Sequence, residues 1–240
     1  MPRFYLPLAP ASNAIITLPD ASAHHAARVL RLSPGDVVTL FDGSGKEWDA
    51  RIGHIGKRAV EVSVGAARTV SRESVLRVTL AQGISSGERM DYTLQKAVEL
   101  GVYAIQPIAC ARSVVKLSGE RAEKRLAHWH GLIIAACEQC GRNVVPSVQP
   151  ITSLGGWAAQ TQAPLKLMFA PDAEHSLHTL PRPADEVLIL AGPEGGFAPD
   201  ETAAALAAGF IPVRLGPRVL RTETAALAAL AALQTLWGDL

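Results

Sequence analysis

From residue 75 onward, short runs rich in Val, Ile and Leu alternate with longer stretches of helical pattern, and this alternation narrows the possible folds more than any other feature. Residues 75–82, 102–109, 165–170, 186–191 and 211–215 read as strands, and 87–100, 119–141, 199–208 and 222–237 as helices. Gly101 and Gly209 stand where two of these helices should stop. Strands separated by helices require crossover connections. Crossovers make neighbouring strands parallel, and a parallel sheet is stable only when both faces are covered. An α/β domain with a mostly parallel sheet is therefore expected.

The first third has a different rhythm. Runs at 37–41, 48–52 and 59–64 recur about every ten residues, separated by the turn chemistry of Asp42-Gly43-Ser44-Gly45-Lys46 and of 53–57. This pattern predicts a small barrel or curled sheet. One helix is expected over 20–32, with Asp20 or Ser22 as N-cap and Ser33-Pro34-Gly35 as its stop. The polar stretch 69–74 reads as a linker, giving domains 1–72 and 73–240. An apolar fraction of 48% is ample for two cores and excludes intrinsic disorder.

Charge and cysteine usage exclude further classes. With 23 Lys and Arg against 22 Asp and Glu, no general basic field exists to hold nucleic acid, so any such contact must be local. His24, Arg28 and Arg31 fall on one face of the expected 20–32 helix, which reads either as such a local stripe or as an ordinary solvated face. Three cysteines are too few for a secreted disulfide framework. No leader-like segment opens the sequence, and no apolar run approaches the ~20 residues that span a bilayer. A soluble cytoplasmic protein without a membrane partner is expected.

In a parallel sheet, ligands bind beyond the carboxyl ends of the strands. Three segments leave a strand there: 169–172, 191–197 and 216–224. The second is glycine-rich, which permits close backbone approach to a ligand, although an ordinary strand-to-helix turn has the same composition. No dinucleotide GxGxxG occurs. The Gly43-Ser44-Gly45-Lys46 run fails as a phosphate loop because Leu40 and Glu47 stand where Gly and Ser or Thr are required. Cys137 and Cys140 form a CxxC, but with no second ligand pair for zinc and at the wrong end of a helix for a low-pKa thiol. They read as structural, and no metal is expected.

Five segments carry a resemblance: ACEQCGR (136–142), LAGPEGGF (190–197), LGPRVLRTETAAL (215–227), GERMDYTLQKAVELGV (87–102) and RVLRLSPGDVVTLFDGSG (28–45). They are similar to those of the RsmE family, ribosomal RNA uracil-N3 methyltransferases of the SPOUT class. The similarity covers the whole chain, and the family carries Lys or Arg where Arg89 stands. It implies an α/β SPOUT parallel-sheet domain with a C-terminal trefoil knot, preceded by a small PUA-like β-barrel domain. It also implies S-adenosylmethionine as cofactor, a uridine in small-subunit (16S) ribosomal RNA as substrate, a role in ribosome maturation, and a two-fold homodimer.

On that resemblance the cofactor pocket comprises Phe169, Ala170 and Pro171, then Leu190, Gly192, Pro193, Gly195 and Gly196, then Leu215, Gly216, Leu220, Thr222, Thr224 and Ala225. Methylation at N3 requires loss of a proton and stabilisation of a developing imidate. Glu194 is the candidate base and Arg221 the candidate donor; a loop-holding Glu194 and an Arg221 paired with Glu223 are the alternatives. RNA contacts are expected from Arg28, Arg31, Arg89, Lys96, Arg112, Lys116, Arg142 and Arg218. The apolar 224–237 segment is expected to be buried on all sides. Two rival classes are a non-enzymatic RNA-binding module and a thiol-redox protein; the intact 215–227 block and the position of the CxxC speak against them.

Overall fold

The computed structural model describes residues 1–57 and 59–240. The chain divides into two compact units, one of Met1–Glu73 with Cys137–Val145, the other of Ser74–Ala136 with Pro146–Leu240. Segment 137–145 thus belongs with the N-terminal residues, which a single boundary near residue 72 does not convey.

The first unit contains β1 (Arg3–Tyr5), β2 (Ile15–Thr17), α1 (Asp20–His24), β3 (Val37–Phe41), β4 (Lys46–Ile55) and β5 (Val60–Thr69). They form a sheet of order β1-β3-β4-β5-β2, with β1 parallel to β3 and the other pairs antiparallel. The alternation is visible in β5, where Val60, Val62 and Val64 are buried and Glu61 and Ser63 exposed. Those valines join Phe4, Leu18, Leu40, Trp48 and Ile52 in one core. Between β3 and β4 the turn uses Gly43 and Gly45, both at positive φ.

The helix expected over 20–32 is shorter. Regular α-helix ends at His24, a π-type turn covers His25–Val29, and Arg31 adopts a left-handed φ of 53°. Arg28 and Arg31 therefore do not share a helical face. The expected linker is also not free. The Asn143 side chain donates to the Val70 carbonyl, and Arg72 donates to the Gly141 carbonyl.

The second unit contains β6 (Arg77–Gly83), α2 (Gly87–Glu99), β7 (Ala104–Ala109), α3 (Gly119–Cys140), β8 (Ser147–Val148), β9 (Thr152–Ser153), α4 (Leu154–Gln160), β10 (Leu165–Phe169), β11 (His175–Ser176), β12 (Glu186–Ala191), α5 (Pro199–Ala207), β13 (Ile211–Arg214) and α6 (Thr222–Trp237). The last turn of α3 is counted with the first unit. The sheet order is β11-β13-β10-β12-β6-β7-β8, and every pairing is parallel. In β12, Val187 through Ala191 are all buried, as a strand covered on both faces requires. Leu188 and Leu190 pack with Met168, Leu154, Ala158 and Ala205 on one side. On the other, α6 lies against β6 and β12 and packs on α2.

Helix α6 is not enclosed on all sides. Thr222, Ala226, Ala229, Leu230, Leu233 and Gln234 are buried, whereas Ala228 and Leu236 stay exposed. An all-apolar helix on one sheet buries only the face turned inward, so the chain itself leaves an apolar stripe open.

Glu47 interrupts the apolar interior of the first unit. Its carboxylate is almost fully buried and accepts hydrogen bonds from Arg3 (3.1 Å), Arg68 (3.1 Å), Arg72 (3.2 Å) and Asn143 (3.0 Å). Burial alone would raise its pKa; the bonds from Asn143, Arg3 and Arg72 outweigh that and hold it at about 2, against an ordinary 4.5. A depressed folded-state pKa contributes stability that is present above pH 4.5 and is lost as pH falls towards 2. Glu47→Ala should cost about 3 kcal/mol, chiefly by leaving the largely buried Arg3 guanidinium without its carboxylate, since Arg68 and Arg72 reach solvent. Glu47→Gln should remove most of the acid dependence of the urea midpoint in that window; an unchanged pH profile would show that other carboxylates govern it.

Candidate active site

The carboxyl ends of β10, β12 and β13 open into a cavity of about 790 Å³. Three segments wall it: 168–172 at and after the end of β10, 191–197 from the end of β12, and 215–222 between β13 and α6. Their convergence follows from parallel pairing, which sends every strand out at the same edge. Met168, Phe169, Leu215, Val219 and Leu220 supply apolar surface, while Gly192, Gly196 and Gly216 leave backbone open.

Of the pocket residues expected from sequence, Phe169, Ala170, Pro171, Gly192, Pro193, Gly196, Leu215, Gly216, Leu220, Thr222 and Ala225 line this cavity. Three do not. Leu190 lies wholly in the core beneath it, Thr224 is exposed on the outer face of α6, and Gly195 turns towards Arg112. A Cβ on Gly195 would stand 2.9 Å from the Arg112 carbonyl oxygen, so that glycine serves the approach of two loops. Gly196, at φ +67°, meets nothing within 4 Å and is the open one.

Glu194 lies on the cavity wall, and its Oε1 accepts from the Ser86 backbone N–H (2.9 Å) and from Arg89 (3.3 Å). Burial pushes its pKa up, but the bonds from the Ser86 and Glu194 backbone N–H groups, the Ser86 hydroxyl and the Arg89 charge hold it below the ordinary value. The carboxylate thereby ties the glycine loop to the first turn of α2. Its Oε2 has no partner among the described residues. Arg89 also approaches Glu223 at 4.0 Å, so this arginine stands between two carboxylates. Arg218 and Arg221 are exposed on the cavity wall and make no ion pair among the described residues.

The remaining basic residues are scattered. Arg112 is exposed on the cavity rim and reaches the Gly195 carbonyl at 3.5 Å. Lys116 donates to the Ala111 carbonyl, and Lys96 pairs with Glu99 along α2. Arg28 and Arg31 are exposed in the first unit. Arg28 borders a second recess there, of about 710 Å³, with His24, His54 and Lys57 on an apolar floor of Ala23, Ala27 and Val60. Arg142, expected on RNA, is instead buried with its guanidinium on the Glu73 carboxylate, and so presents no charge to a phosphate. Glu138, its neighbour by helical spacing, accepts from the Tyr5 N–H.

Arg112, expected among the RNA contacts, enters the cavity rim from the loop after β7. One residue escaped the sequence reading: Gln82 reaches the loops from beneath. The only sequence signal for Gln82 is an amide at the end of an apolar strand.

A family model described as an RNA methyltransferase domain matches residues 72–234, and one described as an RNA methyltransferase PUA domain matches 18–65. A Buchnera aphidicola ribosomal RNA small subunit methyltransferase E is 34% identical, over 100% of this chain and 98% of its own. The chain belongs to the ribosomal RNA small subunit methyltransferase E family. Two solved structures extend the likeness. The Neisseria gonorrhoeae methyltransferase E bound to S-adenosylmethionine is 46% identical, covers 100% of this chain and 99% of its own, and has a TM-score of 0.92. A Legionella pneumophila methyltransferase, also solved with that cofactor, is 40% identical, with coverage of 99% and 98% and a TM-score of 0.95.

The CxxC lies in the last turn of α3. Burial pushes both the Cys110 and Cys137 thiols up to about 12, so neither forms a thiolate near neutrality. No cluster of three His, Cys, Asp or Glu side chains suited to a metal occurs among the described residues. At pH 8, a thiol reagent such as Ellman's should titrate the partly exposed Cys140 in the folded protein and reach Cys110 and Cys137 only after denaturation. Fast reaction of all three would contradict the burial.

Proposed function

We propose that this chain transfers a methyl group from S-adenosylmethionine to N3 of a uridine in small-subunit (16S) ribosomal RNA, contributing to ribosome maturation. The observation that carries the reading is the strand-end cavity, built from three loops in a chain 46% identical to a cofactor-bound methyltransferase E. Its residues fit such a cofactor. The volume suits a nucleoside-sized ligand, Met168, Phe169, Leu215 and Leu220 offer apolar surface to a purine, and Gly192 and Gly196 leave backbone accessible. A Cβ on Gly192 would press on the Phe197 ring at 3.3 Å, so a side chain there requires the ring to shift. When bound, S-adenosylmethionine supplies an electrophilic sulfonium methyl group.

The remaining work falls to the chain. Deprotonating N3 leaves negative charge on the uracil carbonyls, and the guanidiniums of Arg218 and Arg221, without an ion pair among the described residues, stand on this wall to stabilise it. Glu194 stays ionised near neutrality. A lowered pKa makes it a weak base, and its Oε2 is enclosed by the protein, so charge stabilisation by arginine lowers more of the barrier. Residues 1–72 are assigned to RNA positioning, with Arg28 and Arg31 as exposed phosphate contacts. A homodimer is supported by the open apolar stripe of α6, including Leu236, and by exposed Val219 in the third loop. The crossing of β13 to the far side of β10 from β12 supports the trefoil-knotted C-terminal segment implied by the resemblance. Among the described residues no helix is long and apolar enough to cross a membrane; a cytoplasmic location beside the ribosomal substrate is part of the same reading.

Titration calorimetry with S-adenosylmethionine should give a single site, lost in Gly196→Val. Labelled methyl groups should appear as 3-methyluridine in 16S RNA. Arg221→Ala should lower kcat by about a hundredfold with cofactor affinity nearly unchanged. Absence of cofactor binding by the wild-type chain would overturn the reading. Light scattering should give a mass near twice 25.4 kDa. Arg28→Ala with Arg31→Ala should weaken RNA binding and flatten its salt dependence by about two counterions.

A further inference from the structure

Gln82 sits near the end of β6 with no exposed surface, and it does not line the cavity. Its side-chain amide has three acceptors: the Gly83 carbonyl (3.0 Å), the Gly192 carbonyl (3.4 Å) and the Thr222 hydroxyl (3.0 Å). Two of these are carbonyls, which only a donor satisfies, so Nε2 and not Oε1 must face them. Oε1 has no partner among the described residues, leaving the group held by its donor end. Because the Thr222 oxygen accepts from Gln82, its own hydrogen is directed elsewhere, and it is given to the Gly192 carbonyl. Both side chains thus converge on a single carbonyl, that of the first residue after β12.

The three partners belong to different parts of the site. Gly192 opens the glycine loop and Thr222 opens α6, and both line the cavity. Gln82 itself is fixed by the sheet, paired with Ala191 of β12 and Pro107 of β7. The next residue adds a steric stop: a Cβ on Gly83 would lie 2.5 Å from Pro193 Cδ and 2.6 Å from Pro193 N, so the strand end is pressed against the loop. We propose that Gln82 is a positioning residue for the cofactor site, setting the spacing between the glycine loop and the start of α6 through the Gln82–Thr222–Gly192 relay. The proposal rests on the cofactor reading given above. The site is shaped from beneath, by a group that never touches the ligand.

Gln106 provides a matched comparison. It occupies the corresponding part of β7, is nearly as buried, and donates to the Pro107 and Pro150 carbonyls, but it does not line the cavity and makes no bond to its loops. Gln82→Met and Gln106→Met each remove a buried amide at nearly constant volume. Both should lower Tm by similar amounts. Only Gln82→Met should weaken S-adenosylmethionine binding by calorimetry, by about tenfold. In the cofactor-free protein it alone should also speed amide hydrogen exchange across 192–197 and 221–225. Thr222→Val should reproduce both effects and keeps the test available if Gln82→Met does not fold. Gln82→Met with Thr222→Val should be no worse than the stronger single change, since both break one relay. Wild-type affinity and unchanged loop exchange in Gln82→Met, or equal affinity losses in Gln82→Met and Gln106→Met, would overturn the proposal. If the wild-type chain itself gave no binding heat, the cofactor reading would fall instead.

Discussion

In a parallel ladder all strands point the same way, so every crossover re-enters at one edge of the sheet and every loop that follows a strand opens at the other. β6, β12, β10 and β13 are paired in this manner, and the position of the cavity follows from it. The loops after β10, β12 and β13 meet although they lie far apart in sequence. Helices α2, α4, α5 and α6 bury the sheet on both faces, leaving that edge as the place where main chain stays accessible. Glycine is needed where one loop presses on another, at Gly195 against the Arg112 backbone.

Charge is arranged locally. A near-neutral chain has no long-range pull on a polyanion, and several of its arginines are committed inside the protein: Arg3 to Glu47, Arg142 to Glu73, and Arg89 to the pair Glu194 and Glu223. Arg218 and Arg221 differ in being exposed on the cavity wall with no ion pair among the described residues. A cation already neutralised cannot offer much to a transition state. The distribution of ion pairs therefore separates arginines that hold the fold from arginines available to a ligand.

The features legible in sequence were those set by local chemistry. Alternation of strand and helix after residue 75, the valine periodicity of β5, the glycine stops and the three strand-end segments all express nearest-neighbour rules. What escaped depended on distant partners. The strands β1, β2, β8, β9 and β11 are two or three residues long and exist only because a neighbour completes their ladder. The π-type turn after His24 and the left-handed Arg31 leave no mark in helix periodicity, which alone predicted continuation. Arg142 looked like a surface cation because nothing in its neighbourhood announces Glu73, and Gln82 looked like any strand-end amide because Thr222 is far along the chain.

The first unit is assembled from two stretches of chain separated by more than sixty residues of the second. Glu47 draws on both: Arg3, Arg68 and Arg72 come from the first stretch, and Asn143 from the later one. A nascent chain emerging from its N-terminus exposes residues 1–73 long before 137–145 have been made. Until then the Glu47 carboxylate lacks its Asn143 donor and the 69–74 segment lacks the anchor that Asn143 gives to Val70. The N-terminal unit thus cannot complete its own interior during synthesis of its own residues. Its final closure is timed by the translation of β6, α2, β7 and most of α3, which makes the order of folding a property written into the chain's connectivity.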